Sequence, residues 1–190
     1  RAASAIALST IPLLALATYG AMGSPHLPQV PLAARMDGKE FDVGAAVAKI
    51  EAHLAQNPGD GRGWEVLAPV YLRAGRFGDA ARAYQSAIDI LGETPSRLTD
   101  LGEAVTAEAG GIVDARARAA FERALALDPA NPKARYYLAL AAGQDGDSAR
   151  AADMLQKLLA DAPADAPWRG AVEQRLAALS ASASANAIVS

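Results

Sequence analysis

The chain has 190 residues, 48 of them alanine and none cysteine, with 5% aromatics and a formal net charge of −3. A quarter alanine with so few aromatics describes a helix-rich chain rather than a sandwich or barrel, and the missing thiols exclude a disulfide scaffold, a thiol redox centre and a cysteine zinc site. Eighteen basic residues against 21 acidic ones leave no electrostatic footprint for nucleic acid.

In chain order, residues 2–22 come first and carry no charge. As a helix this stretch spans roughly 31 Å, the thickness of a bilayer core. It is only moderately apolar, with Ile6, Leu8, Ile11, Leu13, Leu14 and Leu16 among alanines, Pro12 in mid-span and Tyr19 where an interfacial aromatic belongs. The stretch reads as a transmembrane helix. A cleaved signal peptide with Ala15-Leu16-Ala17 as its small-x-small site is the main competitor, and a buried core helix the third reading. The first two agree on export of the rest of the chain, and Arg1 on the near side places the N-terminus in the cytoplasm. Residues 23–40 form a spacer, where Pro25, Pro28 and Pro31 recur at the three-residue period of polyproline II.

Residues 41–179 read as a helical domain. Val43, Val47, Ile50 and Leu54 stand at i, i+4, i+7 and i+11, one amphipathic helix that closes at Asn57-Pro58. Trp64, Leu67, Ala68, Tyr71, Gly75, Ala80, Tyr84 and Ala87 come next, and the pattern recurs. Leu101, Gly102, Val105, Ala117, Phe121, Ala124 and Pro129 form a second unit, with three extra residues around Gly110-Gly111. Leu138, Ala139, Ala142, Gly146, Ala151, Leu155, Leu158 and Pro163 form a third, its closing proline 34 residues after Pro129. This is the pattern of the tetratricopeptide repeat (TPR), two antiparallel helices packed through small residues. Gly75 ends a helix where a left-handed backbone is needed, and Pro69 is expected to bend the helix that contains it. Val172, Leu176 and Leu179, after Trp168, mark a final helix that caps the stack. Residues 180–190 are low in complexity and are expected to be a disordered tail. The fold class is all-α: a TPR solenoid of about three hairpins with flanking helices, preceded by one transmembrane helix.

No motif supports catalysis, cofactor binding or a metal: there is no G-x-x-x-x-G-K, H-E-x-x-H or G-x-S-x-G, and His26 and His53 are isolated. Asp128, Asp145 and Asp147 read as turn and cap residues. A solenoid of this kind binds through its concave face, lined mainly by the first helix of each hairpin. The repeat positions directed there are occupied by Arg62, Glu65, Pro69, Leu72 and Arg73, then Ser96, Thr99, Glu103, Thr106 and Ala107, then Lys133, Tyr136, Leu140, Gly143 and Gln144. The candidate partner-binding groove is Arg62, Glu65, Leu72, Arg73, Thr99, Glu103, Thr106, Lys133, Tyr136, Leu140 and Gln144. Simple surface is the alternative for each. The mixture suits an amphipathic helix anchored on Leu72, Tyr136 and Leu140.

Beyond the repeats, the chain resembles the CcmI/CycH family of bacterial c-type cytochrome maturation. The resemblance rests on the proline spacer, the lone helix ending Asn57-Pro58, Gly63-Trp64-Glu65-Val66-Leu67-Ala68, Gly92-Glu93-Thr94, the run from Phe121 to Pro129, and Ala162-Pro163-Ala164-Asp165-Ala166-Pro167-Trp168. It implies that the chain corresponds to the second span onward, with a retained anchor in the bacterial inner membrane and the repeat domain in the periplasm. It further implies a chaperone that holds the C-terminal helix of apocytochrome c and delivers it to the membrane proteins of the haem-ligation complex. A generic TPR scaffold of the cell envelope is the competing function.

Overall fold

The computed structural model describes residues 43–189, with side chains from residue 44 to residue 181; the span and spacer expected over residues 1–40 lie outside the described residues. The described residues form eight helices: α1 (Val43–Gln56), α2 (Gly61–Arg73), α3 (Phe77–Leu91), α4 (Pro95–Glu108), α5 (Ala115–Leu127), α6 (Pro132–Gln144), α7 (Ser148–Ala160) and α8 (Arg169–Val189). Local chemistry sets where they begin. Asp60, Thr94, Asp114, Asn131 and Asp147 each precede a helix and accept a hydrogen bond from its third backbone N–H, satisfying a donor that the helix cannot. Pro95 and Pro132 occupy first helical positions, where no N–H is needed. Gly75 turns α2 into α3 at φ +73°, a conformation that a side chain would strain. Pro69 does not break α2, which runs through it to Arg73.

Helices α2–α3, α4–α5 and α6–α7 are hairpins, and each helix from α2 onward packs on the next in the chain. Close approach depends on small residues: Ala68, Ala80, Ala83, Ala117, Ala124, Ala134, Ala141 and Ala151 are fully buried. Leu67, Leu98, Phe121 and Leu155 fill the spaces left between them. Phe121 is stacked on Tyr137 with ring centroids 4.7 Å apart. Helix α6 serves two cores. Its Ala134 and Ala141 join the core built by the preceding helices, while Ala139 joins Leu155, Leu158 and Val172 in a second. That double burial explains why its apolar residues lie all round it.

Helix α1 buries Leu54 against the first hairpin, with Val47 and Ile50 packed on the same core. Glu51 fastens it there, accepting from the Tyr71 hydroxyl at 2.6 Å and from Arg76 Nη1 at 2.9 Å. The Arg76 guanidinium lies 4.2 Å from the centre of the Tyr71 ring. The hydrogen bond from Tyr71, then that from Arg76, holds the Glu51 carboxyl below the ordinary value. Burial, foremost, pushes Tyr71, Tyr84 and Tyr137 up to about 12 from the ordinary tyrosine value of 10. A phenol whose pKa is raised on folding stabilises the fold fully below the unfolded value and ceases to as pH rises through the folded one. Stability is therefore expected to fall between pH 10 and about 12. Tyrosinate absorbance should develop late for these rings in the native protein, and a native titration matching that of the denatured chain would contradict this.

Helix α8 covers the last hairpin with buried Val172 and half-buried Leu176 and Leu179. It continues to Val189, through the stretch expected to be a disordered tail. Alternating alanine keeps helix propensity high there, despite the low complexity. Among the described residues no helix is long and apolar enough to cross a membrane.

Candidate partner-binding groove

The first helices of the three hairpins, α2, α4 and α6, bring together a hollow of about 380 Å³. Leu72 comes from α2, Glu103, Thr106 and Ala107 from α4, and Tyr136, Tyr137 and Leu140 from α6, with Phe77 and Gly111 completing the wall. The three expected apolar anchors, Leu72, Tyr136 and Leu140, are therefore brought to one place, and each is half-buried. Phe77 and Tyr137 were not expected there. The signal for Phe77 is an aromatic opening a second helix, where it remains 36% exposed.

Several polar residues expected in the groove have other work. Thr99 and Thr106 are buried, although Thr106 contributes to the wall of the hollow. Their hydroxyls donate to the carbonyls of Ser96 at 2.9 Å and Gly102 at 2.7 Å on their own helix. Helix α4 is covered by helices on both sides, and a buried hydroxyl must find a local acceptor. Gln144 is likewise spent. It accepts from the Val113 N–H at 2.9 Å and donates to the Gly111 carbonyl at 2.8 Å. It thus clamps the enlarged α4–α5 turn, in which Gly110 and Gly111 both take positive φ. Gln144→Ala is expected to cost about 1 kcal/mol by leaving both backbone groups unpaired. Amide exchange at Val113 should accelerate, and unchanged exchange there would rule out the clamp.

The remaining charges divide into paired and free. Glu65 accepts from Arg97 Nε at 2.8 Å. Lys133 Nζ bridges Asp100 at 2.8 Å and Glu103 at 2.7 Å. Burial works against the Lys133 charge, but the two carboxylates outweigh it and hold the ammonium above its ordinary pKa. Arg62 and Arg73 are exposed and have no ion-pair partner among the described residues. No group of three or more His, Cys, Asp or Glu among the described residues could hold a metal.

Two tetratricopeptide-repeat family models match this chain, over residues 42–96 and 115–175. A solved thermophilic TPR protein from Thermus thermophilus has the same fold, at TM-score 0.54 and 24% identity over 89% of this chain and 94% of that one. The cytochrome c-type biogenesis protein CycH of Bradyrhizobium diazoefficiens is 51% identical over 180 residues, 93% of this chain and 49% of that protein. CycH of Rhizobium meliloti is 47% identical over 181 residues, 95% of this chain and 48% of that protein. The chain is a CycH homologue. It spans about half the length of the curated relatives it matches.

This CycH homologue also carries two hollows beside its last helices. One of about 780 Å³ lies between the α5–α6 and α7–α8 loops, with Pro129, Asp161, Pro163 and Trp168 among its walls. An adjoining one of about 310 Å³ is lined by Pro132, Tyr136, Leu158, Trp168 and Val172 among others. The Arg135–Asp161 ion pair at 2.8 Å and the bond from Arg169 Nη1 to the Leu159 carbonyl at 3.0 Å tie down the α7–α8 loop. The string from Ala162 to Trp168, prominent in the sequence, supplies much of this loop.

Proposed function

We propose that the chain is the client-holding part of a c-type cytochrome maturation factor. In this reading, residues 2–22 anchor it in the bacterial inner membrane and the repeat domain lies in the periplasm. The domain holds apocytochrome c by its C-terminal helix and passes it to the membrane proteins that ligate haem. The observation that carries the proposal is the convergence of Leu72, Tyr136 and Leu140, from two helices of different hairpins, on one hollow in a CycH homologue. An amphipathic helix lays an apolar stripe in such a groove, and half-buried side chains let it do so without exposing a large apolar patch in the free state. The chain has no cysteine, so it cannot itself reduce client thiols or hold haem through a thioether. It acts as a redox-silent holder.

Binding of the full chain to a peptide from the C-terminus of an apocytochrome c tests the proposal. Saturable binding that a scrambled peptide does not reproduce supports it. Equal binding of both peptides, or normal levels of covalent cytochrome c in cells lacking the protein, would count decisively against it.

A further inference from the structure

The carboxylates and the guanidiniums along the concave face are not equally available. Glu65 is paired with Arg97, and Asp100 and Glu103 share Lys133. Arg73 has no ion-pair partner among the described residues and directly follows Leu72, which lines the hollow. Arg175 reaches the same face from α8. A Cβ built on Gly143, one turn beyond Leu140 on α6, would stand 3.9 Å from Arg175 Nη2. The Arg175 side chain is part-buried, and its Nε is enclosed with no hydrogen-bond partner. A partly desolvated guanidinium without a carboxylate is costly unless something supplies one. Arg73 on α2 and Arg175 beyond α6 thus carry no ion pair among the described residues, while each neighbouring carboxylate is already engaged, Lys133 serving both Asp100 and Glu103.

We infer that the occupant of the groove is an acidic amphipathic helix, whose Asp or Glu side chains flank its apolar stripe and pair with Arg73 and Arg175. This rests on the groove reading above and adds the charge of the partner to it. Charge complementarity of this kind selects partners and register more than it adds raw affinity. A terminal carboxylate is not required, because the two arginines come from helices on either side of α6 and α4, and an acidic side chain can face each.

The test uses the full chain and two synthetic helical peptides, both amidated at the C-terminus. Each carries leucines at i, i+3, i+4 and i+7; one has glutamates a turn to either side, and the other has glutamines there. The glutamate peptide is expected to bind about tenfold more tightly at low salt, with the advantage shrinking as ionic strength rises. Arg73→Gln and Arg175→Gln should each reduce that advantage several-fold, weakening the glutamate peptide more than the glutamine peptide, and Arg175→Lys should restore most of it. Arg73→Gln removes no ion pair within the described residues, so its melting temperature should match the parent even if Arg175→Gln unfolds. Equal binding of the two peptides overturns the inference while leaving the groove intact; failure of both peptides to bind overturns both. Vesicles containing phosphatidylglycerol form a last arm: arginine-dependent vesicle capture, with no charge preference between peptides, would assign the arginines to a lipid surface and overturn the inference.

Discussion

Phe121→Ala is expected to destabilise the fold by about 3–5 kcal/mol, the range for deleting a large buried aromatic. Phe121 is fully buried and stacked on Tyr137, so its ring joins the second hairpin to the third. For a domain of this size the loss corresponds to a fall in melting temperature of roughly 6–20 °C. The reason for so large an effect lies at Gly102. A Cβ added there would stand 2.6 Å from Cε1 and Cζ of the Phe121 ring, closer than such atoms approach. The ring has no free end that can swing aside, so Gly102→Ala alone should cost about 1–3 kcal/mol through overpacking. In the Phe121→Ala background the added methyl enters the cavity, and its cost should shrink or reverse. Thermal or denaturant unfolding of the four-member cycle measures this coupling. Strictly additive effects would show that the two residues do not share one packed space.

On the proposed reading of the groove, Tyr136→Ala is expected to weaken binding of the apocytochrome helix by about thirtyfold or more, the loss of about 2 kcal/mol typical of a central aromatic anchor. Leu140→Ala and Leu72→Ala should each weaken it less, because each removes less area from water. Tyr136 stands at the join of two hollows and packs edge-to-face on Tyr137 at 5.6 Å. Truncating it therefore removes the wall that a bound helix would press on. Val66→Ala supplies the comparison, since Val66 is apolar and 59% exposed but lines none of these hollows. Titration of each variant against the apocytochrome peptide, alongside its circular dichroism spectrum, reads the effect. Equal losses for Val66 and Tyr136, or an unaffected Tyr136 variant, would place the client elsewhere.

Much of the fold was legible in the sequence because its cause is periodic. Leu67 and Tyr71 lie one turn apart, Ala80 and Ala87 at helical spacing, and these side chains are all buried. Caps and first-turn prolines set the starts of helices by purely local chemistry. The stretch beyond Ser180 reads as a tail by composition, while its alanines permit helix and α8 is described as far as Val189. Repeat position alone directs Leu72, Tyr136 and Leu140 to one face, and the three line one hollow. Gln144 obeyed the same positional rule and did something different. The residues added at Gly110-Gly111 brought Gly111 and Val113 within reach of its amide.

The sequence by itself determined the helices, their order, the small positions at which they meet and the kinship with CycH. These depend on spacing along one chain and on side chains acting within a turn or two. Only the tertiary structure decided which polar groove residues are spent and which are free. Lys133 bonds to Asp100 and Glu103 across separations of 33 and 30 residues, and Arg97 bonds to Glu65 across 32. Whether such pairs meet depends on the rotation and height of one helix against the next, which the packing of Gly102 on Phe121 helps to set. A periodic pattern states which face a residue occupies but not what stands opposite it, and for charges in a groove that opposite group decides their availability.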